Sequence, residues 1–263
     1  MALPTLIAHR GYSSRYPENT LASIEAALTA GASHIEFDLQ MMADNEFVLM
    51  HDSNLQRASG ISKSVFSLTR QTVRNFQADY YEKFSGQFSG IKIPLLEHVL
   101  SLFTQFPQAT ALVEIKQESL DEHGVEKVMQ QLLPQLKAIK DRCYLISFSA
   151  EAIDYTKKHS TYKTGFVLHT FNDNSREQAE QLQPDLIICN YHKLPELNNL
   201  GHLPENTLWP GNWDWMLYTI DEPELAISYG ENGIAYIETN AIATMLQHPL
   251  LNSQAIDHSA SKP

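Results

Sequence analysis

The stretch His34 to Asp52, HIEFDLQMMADNEFVLMHD, decides how this chain folds. Alternating apolar residues at Ile35, Phe37 and Leu39 and the run Phe47, Val48, Leu49, Met50 flank a polar turn at Asp44-Asn45, which predicts two strands folded back as a hairpin. A turn between those two residues sets His51 opposite Asp38 across the ladder. The period of two also puts Glu36 and Asp38 on one face of their strand. Two carboxylates and an imidazole therefore converge from one short segment.

A lone acid-x-acid pair on a strand more often points to solvent. Two carboxylates about 7 Å apart repel by roughly 2–3 kcal/mol at an effective dielectric near 20. Gathering them into one site calls for a cation, a raised pKa or basic neighbours.

Strand-length apolar runs recur along the chain, at Leu6 to His9, Ile35 to Leu39, Ala111 to Ile115, Tyr144 to Phe148, Gly165 to Leu168, Asp185 to Cys189, Met216 to Ile220 and Ile234 to Ile237. Helical patterns separate most of them. Such alternation predicts parallel strands with crossover helices, closed as a TIM (β/α)8 barrel in which Phe47 to His51 is an added hairpin strand. Asn19 or Thr20 is placed to cap a first helix with an apolar stripe at Leu21, Ile24 and Leu28, ended by Gly31. The second gap is longer than the rest, and only its last part, Pro94 to Phe103, reads as a barrel helix. Residues from about Asn54 to Gly90, rich in Phe66, Phe76, Tyr80, Tyr81, Phe84 and Phe88, are expected to form a small inserted cap within a single domain spanning 1–263. Asn252 to Pro263 is polar and aperiodic, and is expected to fray.

Composition narrows the partners. Lysine and arginine total 19 against 31 acidic residues, a net charge of −12 with no basic run, which argues against nucleic-acid binding. The two cysteines, Cys143 and Cys189, lie in apolar runs and read as buried free thiols, pointing to a reducing, cytoplasmic setting. The short apolar start lacks the basic segment and cleavage site of a leader, and no window has the apolar length of a membrane span. A small-molecule substrate and no stable membrane insertion are expected. Oligomeric state is not legible.

A barrel sets Glu36 and Asp38 beside Glu114 of the next parallel strand. Three carboxylates with no cysteine suit a hard divalent cation, Mg²⁺ or Ca²⁺. His9 and His51 flank that centre and suit a general acid and base pair. Arg10 and Lys116 add charge-assisted donors for phosphate oxygens. Together these residues describe metal-assisted cleavage of a phosphodiester. Arg10 also fits a structural role as partner of Glu18, His169 is a candidate pocket residue, and Trp215 and Tyr218 read first as core or rim aromatics.

HRG followed by PENT, then EFDLQ with HD about a dozen residues later, then EIK, resembles the glycerophosphodiester phosphodiesterase family over nearly the whole chain. The resemblance implies a TIM barrel with a small cap, a divalent metal, and hydrolysis of glycerophosphodiesters to sn-glycerol 3-phosphate and an alcohol. It carries catalytic roles to His9 and His51, metal ligation to Glu36, Asp38 and Glu114, and phosphate contact to Arg10 and Lys116. Glu18 and Asn19 match a motif that supports the first loop. Two late positions depart: the family usually has WTVN on its seventh strand and a TD pair on its eighth, where this chain has YTID and ETN. Tyr218 is expected to bear on contact with glycerol or the leaving alcohol, and Glu238 to add an acid near the rim, away from the metal and histidines. A lysophospholipase D acting on lipid-tailed diesters would use the same centre and is the second reading. A non-catalytic ligand-binding barrel is a third, and a divalent-metal sugar isomerase would leave the paired histidines unexplained.

Overall fold

Alternation along one strand sorts its side chains into two environments. In the computed structural model, which describes residues 3–251, strand β2 (His34–Met41) sends Ile35, Phe37, Leu39 and Met41 into the apolar layer beneath the helices. Glu36, Asp38 and Gln40 on its other face are also buried. A strand covered on both sides is what a parallel barrel demands.

The other strands are β1 (Thr5–His9), β3 (Phe47–Leu49), β4 (Thr110–Ile115), β5 (Cys143–Ser147), β6 (Lys163–Val167), β7 (Leu186–Asn190), β8 (Asp214–Tyr218) and β9 (Tyr236–Thr239). Strand β1 pairs in parallel with both β2 and β9, and the series runs on through β4 to β9, so eight parallel strands close a TIM barrel. Strand β3 is antiparallel to β2 and stands outside the eight. Helices Leu21–Thr29, Leu96–Gln105, Val125–Gln135, Ala150–His159, Asp173–Leu182 and Pro223–Glu231 occupy six of the seven crossovers, and the β7-to-β8 crossover carries only a 3-10 turn at Tyr191–Lys193. Thr20 caps the first by accepting from the Ser23 amide at 3.2 Å. Inside the barrel Ile7, Leu112, Ile146, Val167, Ile188 and Met216 form an apolar plug.

The hairpin register differs by one residue from the sequence reading. Leu39 pairs with Leu49 and Met41 with Phe47, so Met50, not His51, lies opposite Asp38, and its amide donates to the Asp38 carbonyl at 3.2 Å. A three-residue loop, Ala43 to Asn45, makes the turn. Asn45 sits at φ 65°, and the Asn45 amide donates to the Met42 carbonyl at 3.1 Å. The odd loop length moves the centre onto Asp44. His51 then lies beyond the end of β3.

Residues between β3 and β4 form short turns of helix at Gln56–Ser59, Val65–Ser67, Arg70–Val73 and Tyr81–Phe84. Their apolar side chains Leu55, Ala58, Val65, Leu68, Val73, Ala78 and Tyr80 bury against Met42, Val48, Met50 and Leu95 in a cluster separate from the main core. Of the aromatics in this segment, Phe84 meets Phe88 edge-on and Phe88 packs on Tyr16, while Tyr81 is 66 % exposed. Among the described residues no helix is long and apolar enough to cross a membrane. The tail from Asn252 to Pro263 lies outside the described residues.

Candidate active site

Parallel register builds the site. His9 is the partner of Glu36 across β1 and β2, and Asp38 is the partner of Glu114 across β2 and β4, so the four side chains form two neighbouring rungs at the strand ends. Carboxylate oxygens of Glu36, Asp38 and Glu114 lie within 4.8 Å of one another. Glu36 Oε1 and Asp38 Oδ1 are buried and lack a hydrogen-bond partner, an expensive state for a carboxylate oxygen that a cation relieves. The trio therefore fits a divalent metal.

The loop after β1 closes over it. Arg10 and Gly11 both adopt positive φ, 55° and 81°. A Cβ on Gly11 would fall 2.5 Å from the Ser23 backbone, so only glycine lets this turn sit on the first helix. The turn aims the Arg10 amide at Glu36 Oε2, 3.0 Å away, and the guanidinium at Glu18 and Asp38, each at 2.8 Å. Asn19 clamps Asp38 twice, its Nδ2 donating to Oδ2 at 2.7 Å and its Oδ1 accepting from the Asp38 amide at 3.0 Å. Lys116 Nζ reaches Glu114 at 2.7 Å and Asp38 Oδ1 at 3.4 Å.

These contacts split the acids. Burial pushes the Asp38 carboxyl up, but the Arg10 and Lys116 charges outweigh it and hold Asp38 well below the usual carboxylate range. Burial, with Asp38 and Glu238 nearby, pushes Glu36 well up, and burial with Asp38 also raises Glu114. Burial works against charge on Lys116 too, yet Asp38 and Glu114 keep it protonated.

Each histidine is held by one nitrogen. His9 Nδ1 lies 2.8 Å from Asn240 Oδ1, which also accepts from Ser13 Oγ at 2.9 Å, while Asn240 Nδ2 donates to Asp221 Oδ2 at 3.1 Å. That chain of donors assigns the proton to Nδ1 and leaves Nε2 a lone pair. Burial and the Arg10 charge pull His9 down to about 4. His51 Nδ1 donates to Asp52 Oδ1 at 2.7 Å, and its carbonyl accepts from Gln40 Nε2 at 3.1 Å. Arg57 Nε donates to Asp52 at 2.8 Å and Nη2 to Glu18 at 2.9 Å, joining the supports of the two loops.

His9, Arg10, Glu36, His51, Glu114 and Lys116 line one cavity of about 230 Å³, with Asp38 buried beside them. The remaining wall is Ile146, Phe148, Val167, Ile188, Asn190, Met216, Tyr218, Thr219 and Glu238. Tyr218 thus belongs to the pocket, whereas Trp215 is core and His169 is exposed, its ring tilted against that of Phe148. Glu238 corrects the sequence reading: it is no rim residue but a buried acid whose carboxylate lies within 4.8 Å of His9 and Glu36, because β9 pairs with β1 and turns it inward.

Sequence reasoning missed Asn240, Asp221, Asp52, Gln40 and Arg57 as supports. One signal was present. The two departures, Asp where the pattern has Asn and Asn where it has Asp, are hydrogen-bonded to each other, so an amide and a carboxylate have exchanged places. Nothing in the sequence marked Arg57.

A family model described as the glycerophosphoryl diester phosphodiesterase family matches residues 9–238. A glycerophosphodiester phosphodiesterase of Caldanaerobacter subterraneus is 29% identical over 236 residues, covering 87% of this chain and 92% of that protein. One from Bacillus altitudinis is 32% identical over 143 residues, 54% of this chain, and the match spans 57% of the relative's length. Among solved structures, an Oleispira antarctica phosphodiesterase in complex with the product sn-glycerol-3-phosphate superposes with a TM-score of 0.78 at 20% identity, covering 97% of each chain. At that identity the likeness speaks for the fold.

Proposed function

Because the chain belongs to the glycerophosphoryl diester phosphodiesterase family and is an enzyme of that class, we propose that it performs metal-dependent hydrolysis of glycerophosphodiesters to sn-glycerol 3-phosphate and an alcohol, with His9 and His51 as base and acid. The observation that carries this reading is the meeting, around one cavity, of two histidines each held through Nδ1, two cationic side chains, and a carboxylate trio of which Glu36 and Glu114 line the cavity and Asp38 is buried beside it.

His9 is suited to be the base, since its Nδ1 is committed to Asn240 and its Nε2 holds a lone pair. That nitrogen takes the proton from the attacking hydroxyl, whether of water or of the substrate's own glycerol. His51 gives a proton to the departing alkoxide, and Asp52 supplies the countercharge for an imidazolium. Arg10 and Lys116 face the non-bridging phosphate oxygens as charge-assisted donors. Glu36, Asp38 and Glu114 would hold the cation, Mg²⁺ or Ca²⁺. When bound, it supplies Lewis-acid stabilisation of the phosphate charge.

A cavity of about 230 Å³ is below the roughly 300–1,000 Å³ of drug-sized pockets and suits a compact polar phosphate over a lysophospholipid tail. The segment of about residues 54–90 acts as a cap on this site; Lys83 Nζ donates to the Ser13 carbonyl at 2.8 Å, and Arg57 holds Asp52 and Glu18. We place the enzyme in the cytoplasm on its two buried, unpaired thiols.

Release of glycerol 3-phosphate from a panel of diesters, lysophospholipids included, tests the reading with and without chelator. Turnover of small-headed glycerophosphodiesters, lost on chelation and restored by a divalent cation, is expected. Full activity in exhaustively metal-free protein would overturn it.

A further inference from the structure

Beside the carboxylate trio lies a second cluster that shares one member with it. His9, Glu36 and Glu238 each present a ligand atom within 4.8 Å of the others, and Glu36 also belongs to the trio with Asp38 and Glu114. Glu238 is 4 % exposed, and its Oε1 and that of Glu36 are buried with no hydrogen-bond partner. Two carboxylate oxygens so placed want a proton donor or a cation. Neither Arg10 nor Lys116 serves Glu238, since their short contacts go to Glu18, Asp38 and Glu114.

The donor sets differ in kind. The trio offers only hard oxygen, whereas the second cluster includes an imidazole, which favours borderline transition ions over Mg²⁺ or Ca²⁺. His9 is also supported as metal-binding histidines usually are. Its Nδ1 is committed to a fixed acceptor, Asn240, itself held by Asp221, and Nε2 remains for a ligand.

We propose that His9, Glu36 and Glu238 form a second cation position, for a divalent transition ion such as Zn²⁺ or Co²⁺, next to the oxygen trio and bridged to it by Glu36. An ion there occupies the Nε2 lone pair, so its binding switches the enzyme off while the first cation stays in place. Binding stands on the geometry alone; inhibition rests on the role given to His9 under the proposed function.

The test uses full-length protein saturated with Mg²⁺ and titrated with Co²⁺, followed by visible absorbance and calorimetry. One Co²⁺ per chain should bind without displacing Mg²⁺, with bands of an imidazole-containing site. Its affinity should fall at least tenfold in Glu238→Gln and in His9→Ala, each first shown to melt as a native protein. Co²⁺ that binds only by expelling Mg²⁺, or that binds both variants as well as the wild type, overturns the site. For turnover, Zn²⁺ should inhibit the Mg²⁺-activated enzyme at a concentration at least tenfold lower than it inhibits Glu238→Gln. Tight Co²⁺ binding with undiminished hydrolysis overturns the switch. Binding as expected in a protein that cleaves no diester defeats the proposed function and leaves the site standing.

Discussion

Asn240 accepts a hydrogen bond from His9 at 2.8 Å across 231 residues of chain, and Asp221 fixes the amide that does so. This contact converts two apparent departures from a family pattern into one exchange. Its consequence is testable. Asn240→Asp alone sets two carboxylates against each other and should lower kcat by about 10–100-fold, the usual cost of losing such a support. Asp221→Asn alone leaves two amides and should also impair turnover. Combining them restores one carboxylate and one amide, so kcat should recover to within a few-fold of wild type. A double variant as poor as the worse single one would sink the exchange.

His51 depends on a different support. His51→Ala should lower kcat by about 10²–10⁴, the contribution of one positioned acid or base. Asp52→Ala, which removes the Nδ1 acceptor at 2.7 Å and the partner of Arg57 but leaves the His51 ring, should cost less than that and leave Mg²⁺ affinity intact. Steady-state kinetics with calorimetric Mg²⁺ titration separates the two effects. Loss of Mg²⁺ binding in Asp52→Ala would contradict this division of labour.

Glu238 gives a pH signature in metal-free protein. Burial raises its folded pKa well above 4.5, so the folded state holds this proton more tightly than the unfolded one. Where the native state binds more protons, stability falls as pH rises. Glu238→Gln lacks that liability. In chelator, the melting temperature of Glu238→Gln minus that of the wild type should grow as pH rises above about 4.5, and a saturating divalent cation should shrink it. A gap independent of pH would mean that Glu238 carries no such strain.

What could be read from the sequence follows from which forces are periodic. The β2 alternation fixed the inward face of Glu36, Asp38 and Gln40, and parallel pairing of β2 with β4 then placed Glu114 beside Asp38. Turn geometry was less legible. Asp44 and Asn45 mark the turn in the sequence, yet loop length hangs on Asn45 adopting φ 65°, a choice that shifts the register by one without changing composition. His51 nevertheless reaches the pocket, because Gln40 holds its carbonyl and Asp52 its ring. Supports such as Asn240 for His9 and Arg57 for Asp52 join distant loops, and single-chain periodicity carries no record of such meetings.

The segment between β3 and β4 divides into residues that hold it together and one that serves the site. Leu68 is fully buried in the cluster with Met42, Val48 and Met50 of the hairpin, so Leu68→Ala should destabilise the protein by about 2–5 kcal/mol. While folded, that variant should keep the wild-type ratio of glycerophosphocholine to glycerophosphoethanolamine turnover. Excising the whole segment is a harsher change, because it uncovers Met42, Val48, Met50 and Leu95 as well, and the barrel should lose stability with it. Arg57 is the opposite case. It is half-exposed and its side chain donates to Asp52 and Glu18, so Arg57→Ala should leave the melting temperature nearly unchanged yet lower kcat through a loosened His51. Denaturant unfolding and kinetics on Leu68→Ala and Arg57→Ala provide the comparison. A destabilised Arg57→Ala with normal kcat, paired with a stable Leu68→Ala, would reverse the assignment.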